Sequence, residues 1–524
     1  MRAKKAIAAL MAVSMTIGML AGCGSSDSTG KTGGNESSDE EKGGVYNIDM
    51  QLVTWGTTPD ELEEVEAAIN DIVEPEIGVT VTLKPVSAMN LINESNMELA
   101  AGEKLDLLCI MPYGAGLDSI SNYASKNMIL PLDDLYAEYG QDIKSALGEL
   151  ISIGYMGEDL YAIPANTTLG VEYGIMPRQD ILDELGIIVD EDKVYTPEEI
   201  EKIFAAYKEK YGDGHYCLAL FGTGADMYST FYPLETLGGD GSYGVIMGAG
   251  LDGNTKIVNL FETDEYMDYC KMVRKWYEAG YINPDVTTIT DDITSQLMTG
   301  NYFASAGANS PDSLTAMETN VGVEFPVLKT VEKYASTQAA SVAMWAIPTT
   351  CENPEKTMQF LNLLYQDREL SEDIDSLLCA GLEGVSYNVV QEVGGSKAIV
   401  EKIKTGTWGE CVATNTVGNI FTTPKYKPTT ADVYEEYVAF NQEIIDSKGV
   451  PQTFGYVFDP SSVSAQAAAV SSVIGQYRSL VGFGLVDPEE VMPEFIKALK
   501  EAGIDDIIAE NQKQLDNWLV NKDK

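Results

Sequence analysis

The sequence predicts an α/β fold, and three observations carry that prediction. Ile48 to Trp55 is apolar and β-prone, the pattern of a buried strand. Leu62, Val65, Ile69 and Ile72 then recur at helical spacing, and Val79 to Leu83 alternates as a second strand. A further helical stretch runs through Leu91 to Ala101, and Leu105 to Met111 reads as a third strand. Strand, helix, strand, helix, strand in that order implies parallel pairing with right-handed crossovers. An open sheet of this kind binds ligands beyond the carboxyl ends of its strands. Here those ends are Trp55-Gly56-Thr57 and Met111-Pro112-Tyr113-Gly114.

The later elements follow from local chemistry. Thr58-Pro59-Asp60-Glu61 places an N-cap, a proline at the first helical position and a capping-box acid before the first helix. A second α/β-like stretch starts near Gly170, where Thr196-Pro197-Glu198-Glu199 repeats that pattern ahead of a helix through Tyr207. Cys217 to Phe221 is a short strand, and Glu265 to Tyr277 a helix ended by Gly280. Helical periodicity returns over Asn353 to Leu364 and Ala431 to Ile445. Beyond Phe454 the chain is mostly helical: Ser462 to Leu480, a stretch opened by Asp487-Pro488-Glu489-Glu490, and Ile504 to Leu519.

Arg2, Lys4 and Lys5 precede an apolar run from Ala6 to Met19, and Leu20-Ala21-Gly22-Cys23 closes it. This is the grammar of a secretory signal, too short for a membrane span of about 20 residues. Its last four residues resemble the bacterial lipobox, which implies lipidation of Cys23. Gly24 to Gly44 is rich in Gly, Ser and charge, a flexible tether. About 500 residues remain, enough for two or three domains.

The chain carries 34 basic and 81 acidic residues, a formal charge of −47. Nucleic acid and anionic membrane surfaces are poor partners for such a body; a soluble, self-repelling surface is what it makes. No calcium loop of the Asp-x-[Asp/Asn]-x-[Asp/Asn]-Gly kind is present. With one histidine and no C-x-x-C pair among seven cysteines, no metal site or cofactor is expected. Disulfides are permitted but not required, and Cys109 reads as a buried small hydrophobe.

Serine and cysteine nucleophiles need a histidine base, and His215 stands alone in a turn, so no enzyme activity is expected. Gly248-Ala249-Gly250-Leu251-Asp252-Gly253 matches G-x-G-x-x-G, but Lys256-Ile257-Val258-Asn259 reads as a strand where a nucleotide site needs a helix. The segment is therefore a glycine-rich hairpin. Paired carboxylates of a glycosidase cannot be picked out by proximity among so many acids. The aromatics are more informative. Trp55, Tyr113, Tyr228, Tyr232, Tyr302 and Trp408 fall in polar, Gly- or Asn-rich settings. Flat rings edged by Asn, Asp or Gln suit sugars, which present an apolar C–H face and a rim of hydroxyls.

With its lipobox, tether and strand–helix opening, the mature chain resembles family 1 extracellular solute-binding proteins of ABC importers. Gly170-Val171-Glu172-Tyr173-Gly174-Ile175, Trp276-Tyr277-Glu278-Ala279-Gly280-Tyr281-Ile282-Asn283-Pro284-Asp285 and Met298-Thr299-Gly300-Asn301-Tyr302-Phe303-Ala304 carry the likeness. The tail is similar to the lipoprotein subgroup with a C-terminal domain of unknown function, through Gly381-Leu382-Glu383-Gly384-Val385-Ser386-Tyr387, Phe454-Gly455-Tyr456-Val457-Phe458-Asp459-Pro460 and Glu510-Asn511-Gln512-Lys513-Gln514-Leu515-Asp516-Asn517-Trp518. That subgroup often has a basic or histidine residue between the Gly384 and Tyr387 positions, where Val385-Ser386 stands here.

The resemblance implies a two-lobed, type II periplasmic-binding-protein-like fold with a mostly helical C-terminal extension. Its expected divisions are a signal peptide at 1–22, a tether at 23–46, a first lobe at 47–165 completed by about 305–350, a second lobe at 166–304 completed by about 351–450, and the extension at 451–524. The implied function is capture of a neutral oligosaccharide in the inter-lobe cleft and delivery to the permease subunits. The alternatives are a peptide or charged metabolite in the same fold, or a surface glycosidase. The expected setting is a monomer anchored by lipid on the outer face of a Gram-positive bacterial membrane. Positions expected to meet the ligand are Trp55 and Tyr113 on the first lobe and Asp226 and Tyr228 on the second. Tyr302, Asn309 and Trp345 lie where the chain returns between lobes, and Trp408 and Asn415 in a Gly/Asn/Thr-rich segment.

Overall fold

The strand Tyr46–Thr54 pairs in parallel with Val79–Ser87 over its whole length, from Tyr46 opposite Val79 to Thr54 opposite Ser87. The crossover between them is the helix Leu62–Ile77, which buries Val65, Ile69 and Val73 and stops at Gly78 in the left-handed region. A parallel bridge from Met50 to Leu107 brings the strand Leu108–Ile110 to the other side of Tyr46–Thr54. Two antiparallel strands, Met344–Ala346 and Ile163–Pro164, extend this first sheet. The computed structural model describes residues 44–112, 119–220, 226–239 and 241–522; Cys23 and Tyr113 lie outside them.

The second sheet is built on Gly170–Pro177, antiparallel to Tyr302–Asn309. Tyr302–Asn309 runs parallel to Tyr216–Ala219, and Leu328–Lys329 pairs on the far side of Gly170–Pro177. Each sheet organises its own hydrophobic core, and the two cores define two lobes. The chain passes from the first core to the second between Ile163 and Ile175, returns between Leu328 and Ala335, and crosses again between Phe454 and Tyr456.

This partition differs from the expected one in what completes each lobe. Residues 351–380 and 408–454 contribute Phe360, Leu361, Leu378, Trp408 and Phe454 to the first core, not the second. The second core is instead finished by the C-terminal helices Ser464–Gly482, Pro488–Ala502 and Ile504–Asn521, through Val470, Phe495, Leu499, Ile504 and Leu515. The strand Tyr302–Asn309 lies wholly in the second sheet. The physical reason is coverage: both faces of each sheet must be buried, and the elements that do so come from far along the chain.

The capping box at Thr196 forms as expected, with Pro197 at the first helical position of Pro197–Tyr211. Asp487 caps Pro488–Ala502. At the first helix the expectation fails. The helix begins at Leu62 with no side-chain cap, and Glu61 turns inward, where its Oε1 accepts from the Trp408 backbone at 2.9 Å and from Ser386 Oγ at 3.1 Å. The glycine-rich segment 248–253 does join two antiparallel strands, Val245–Met247 and Ile257–Val258. Cys109 is fully buried in its strand, and Cys217, Cys270, Cys351, Cys379 and Cys411 are free thiols.

Candidate functional site

The strands Tyr46–Thr54, Val79–Ser87 and Leu108–Ile110 end on the same side of the first lobe, which places Trp55, Met89 and Pro112 there. The Ala88 N–H donates to the Thr54 carbonyl at 2.8 Å, so the two strand ends stay paired to their tips. Gly56, at φ 102°, turns the chain away immediately after Trp55. The Trp55 backbone donates to the Cys411 carbonyl at 2.8 Å, while the ring is left 59% exposed. Met89 beside it is 87% exposed. Trp276, Trp345 and Trp408 are fully buried and Trp518 is partly covered, so Trp55 is the one tryptophan that offers its face to solvent.

A cavity opens at this end of the sheet. Pro112, Ser119 and Met344 line it from the first lobe, and Leu237 and Tyr243 from the second. Thr337, Gln338 and Ser341, just past one crossing, and Tyr456, at the end of another, complete the wall. None of the described lining residues is charged.

Its walls are fixed by hydrogen bonds. Glu235 is buried, with Oε1 accepting from Leu237 N at 3.2 Å and Oε2 from Thr337 N at 3.2 Å. Burial pushes this carboxyl above its ordinary value, against the pull of those backbone donors. Asn511, on the last helix, donates to the Tyr243 carbonyl at 2.8 Å and accepts from the Tyr456 hydroxyl at 2.8 Å. Tyr456 and Val457 also border a neighbouring groove. The groove that adjoins Trp518 and the 148–158 segment is larger, and Glu149, Glu158 and Lys522 are among its lining residues.

The structure separates the expected ligand residues. Trp55 stands exposed at its strand end and is not among the described residues that line the cavity. Asp226 does not face the cavity: its carboxylate is buried against Arg478, with Nε 2.8 Å from Oδ2. Burial alone would push that carboxyl up, but the Arg478 guanidinium and donors from Tyr228 and Tyr266 hold it below its ordinary value. Tyr228 is likewise interior, 4.9 Å from Tyr232 ring to ring and packed on Tyr266 and Tyr269. Tyr302 begins its strand, at the opposite end from Asn309, and its buried ring receives the Asn283 amide at 2.7 Å on the hydroxyl.

Trp345 and Trp408 are core residues. The Trp345 Nε1 donates to the Thr416 carbonyl at 2.8 Å, and the Trp408 Nε1 to the Leu378 carbonyl at 2.8 Å. A buried indole needs such an acceptor, and both find it inside the first lobe. Asn309 is buried at its strand's carboxyl end, its amide 3.3 Å from Glu172 Oε2. Asn415 belongs to the short helical turn Thr414–Thr416, and its side chain is outside what is described. The lining residues Leu237, Thr337, Gln338 and Tyr456 were not anticipated. The run Phe454-Gly455-Tyr456-Val457-Phe458 was the available signal, because a cluster of aromatics around a glycine needs both a core and an opening.

Two lobes, three crossings and a cleft at the strand ends are the fold of the solute-binding proteins, and comparison with known proteins agrees. The family described as "Domain of unknown function (DUF3502)" matches residues 452–520. Over 99% of both chains the protein is 26% identical to a carbohydrate ABC transporter substrate-binding protein of Streptococcus pneumoniae serotype 4. It is similar to the crystal structure of the N-glycan transport solute-binding protein NgtS of Streptococcus pneumoniae, with a TM-score of 0.73 at 22% identity, covering 91% of this chain and 100% of that one. NgtS in complex with Man5GlcNAc gives 0.64 at 24% identity, covering 91% and 99%. An HMO-binding, ABC-transporter-associated solute-binding protein of Bifidobacterium longum infantis gives 0.63 at 16% identity, with the same coverage.

Proposed function

We propose that this protein is the substrate-binding component of an ABC importer and captures a neutral oligosaccharide between its lobes. The observation that carries the reading is the uncharged cavity. Charged residues make up 22% of the chain, yet the described lining has none. A charged metabolite would need a fixed counter-charge there, whereas a sugar needs rings, hydroxyls and amides. Trp55 and Met89 leave apolar surface exposed where their paired strands end, and Ser119, Thr337, Gln338 and Ser341 supply polar groups to the cavity wall. The glycan-binding relatives support the same ligand class.

The mechanism is binding with closure and no bond chemistry. A ligand that touches both lobes stabilises the closed state by its additional contacts there, and the three crossing segments absorb the rotation. Lipidation at Cys23 would hold the receptor beside its permease, as a monomer on the outer membrane face. Mass spectrometry of the cell-derived protein tests the anchor, with a diacylglyceryl-modified Cys23 as the expected species. The ligand class is tested by thermal shift of the purified protein against neutral oligosaccharides, Man5GlcNAc included, and against peptides. A rise in melting temperature with a glycan is expected; a rise with peptides alone overturns the assignment.

A further inference from the structure

A buried carboxylate holds two walls of the cavity. Glu235, 1% exposed, ends the short strand Leu234–Glu235, which pairs antiparallel with Val245–Met247. Its Oε1 accepts from the Leu237 N–H and its Oε2 from the Thr337 N–H, each at 3.2 Å. Leu237 and Thr337 both line the cavity, the first from the second lobe and the second just past a crossing. Burial disfavours the Glu235 charge, and backbone donors, with the Ser336 side chain, oppose that effect in place of a cation. A carboxylate so placed costs folding free energy; what it supplies is position.

Leu237 is where position needs holding. Its φ of 54° lies in the left-handed region, which a leucine keeps only where its surroundings enforce it. Two more hydrogen bonds join the same segments. The Leu234 N–H donates to the Tyr334 hydroxyl at 3.1 Å, and the Thr236 hydroxyl donates to Gln338 Oε1. With that oxygen taken, Gln338 keeps its amide N–H groups for a ligand hydroxyl. Thr337 Oγ1 in turn accepts from the Gly455 N–H at 3.0 Å, which ties the clamp to the third crossing.

We propose that Glu235 is a positioning residue for glycan capture: through the Leu237 and Thr337 backbones it holds the second-lobe wall of the cavity against the crossing segment, in the shape that accepts a ligand. The proposal rests on the reading of the protein as a glycan receptor for its effect on affinity, but not for its effect on the two walls.

The test uses the purified mature chain and three variants: Glu235→Gln, Thr236→Val, and the control Tyr434→Phe. The Tyr434 hydroxyl is buried in a separate cluster, where it donates to the Thr423 carbonyl at 2.8 Å. Glutamine keeps the shape of Glu235 but accepts at only one end, so one of the two N–H groups loses its partner. Hydrogen exchange of the peptides covering 232–239 and 334–341 is measured without ligand, and Man5GlcNAc affinity by calorimetry well below the melting temperature. Glu235→Gln is expected to speed exchange in at least one of these peptides and to weaken binding by about fivefold or more. A role in stability alone would lower the melting temperature and leave affinity equal to that of Tyr434→Phe. Should Glu235→Gln not fold, Thr236→Val, which removes one hydrogen bond of the same clamp, is expected to speed exchange over 334–341 and weaken binding roughly twofold or more. Affinity no different from the control overturns the proposal, whether or not exchange is faster. If the wild type binds no glycan, the receptor reading fails and the effect on affinity with it, while exchange in the two peptides still decides whether Glu235 holds the walls.

Discussion

The two strand-end regions, Trp55-Gly56 on the first lobe and Asp226-Met227-Tyr228 on the second, look alike in sequence: an aromatic beside glycines where a strand stops. In three dimensions they are opposites. The first turns at Gly56 and leaves its ring in solvent. The second lies beneath a helix that arrives about 250 positions later and turns its ring and its carboxylate inward. A strand end therefore says where a side chain stands along the sheet, but not which way it faces. Direction is decided by whether another element covers it.

The sharpest way to break this contrast is to remove a buried member and an exposed one. Trp408→Ala should cost about 3–5 kcal/mol of stability by denaturant unfolding, since it empties a fully enclosed indole site. Asp226→Ala should cost a similar ~3–5 kcal/mol, because it strands the Arg478 charge in the interior. Adding Arg478→Met to Asp226→Ala should recover part of that loss, and a double-mutant cycle measures the coupling.

A third prediction contrasts a paired buried carboxylate with an unpaired one. Asp226 lies below its ordinary value, so its contribution is present above the unfolded value of about 3.9 and is lost as pH falls through its lower folded value. Asp373 is pushed up to about 6 by burial, despite the Ser376 N–H at 2.6 Å. Its contribution is complete below the unfolded value and is lost as pH rises through 6. Asp373→Asn should retain the helix cap and remove this dependence. The stability difference between wild type and variant should therefore change by about 2–3 kcal/mol between pH 3.5 and pH 7. Equal slopes for the two proteins would contradict it. The smallest effect on folding belongs to Trp55→Ala: stability within about 0.5 kcal/mol of wild type, with glycan binding weakened about tenfold, or ~1.4 kcal/mol. Normal glycan affinity in this variant would remove Trp55 from the site.

The opening strands, their parallel pairing, the Thr196 capping box and the helical tail were legible because each depends on residues within a few positions of one another. Thr58 failed as a cap because Glu61 is claimed by Ser386 and Trp408, 325 and 347 positions away. The same distance defeats aromatic spotting. Trp345 and Trp408 sit among small and polar residues, yet their Nε1 groups meet carbonyls of other elements, and no local pattern reports that. Trp55 is exposed because a strand end followed at once by a glycine leaves little that could cover it. The cavity walls were hidden because they come from separate parts of the chain: Pro112 and Ser119, Leu237 and Tyr243, Thr337 to Met344, and Tyr456 to Pro460.

The late arrival of Arg478 also sets a schedule. Asp226 is made 252 positions before its partner, and at about 5–20 residues per second synthesis needs on the order of 10 to 50 s to deliver it. The first lobe waits too, since Trp408 and Phe454 are needed to close a core begun at Ile48. Until then the growing polypeptide holds long-range contacts it cannot yet make, which slows commitment to the native state. A chain that folds this late remains threadable through a narrow translocation pore for most of its manufacture.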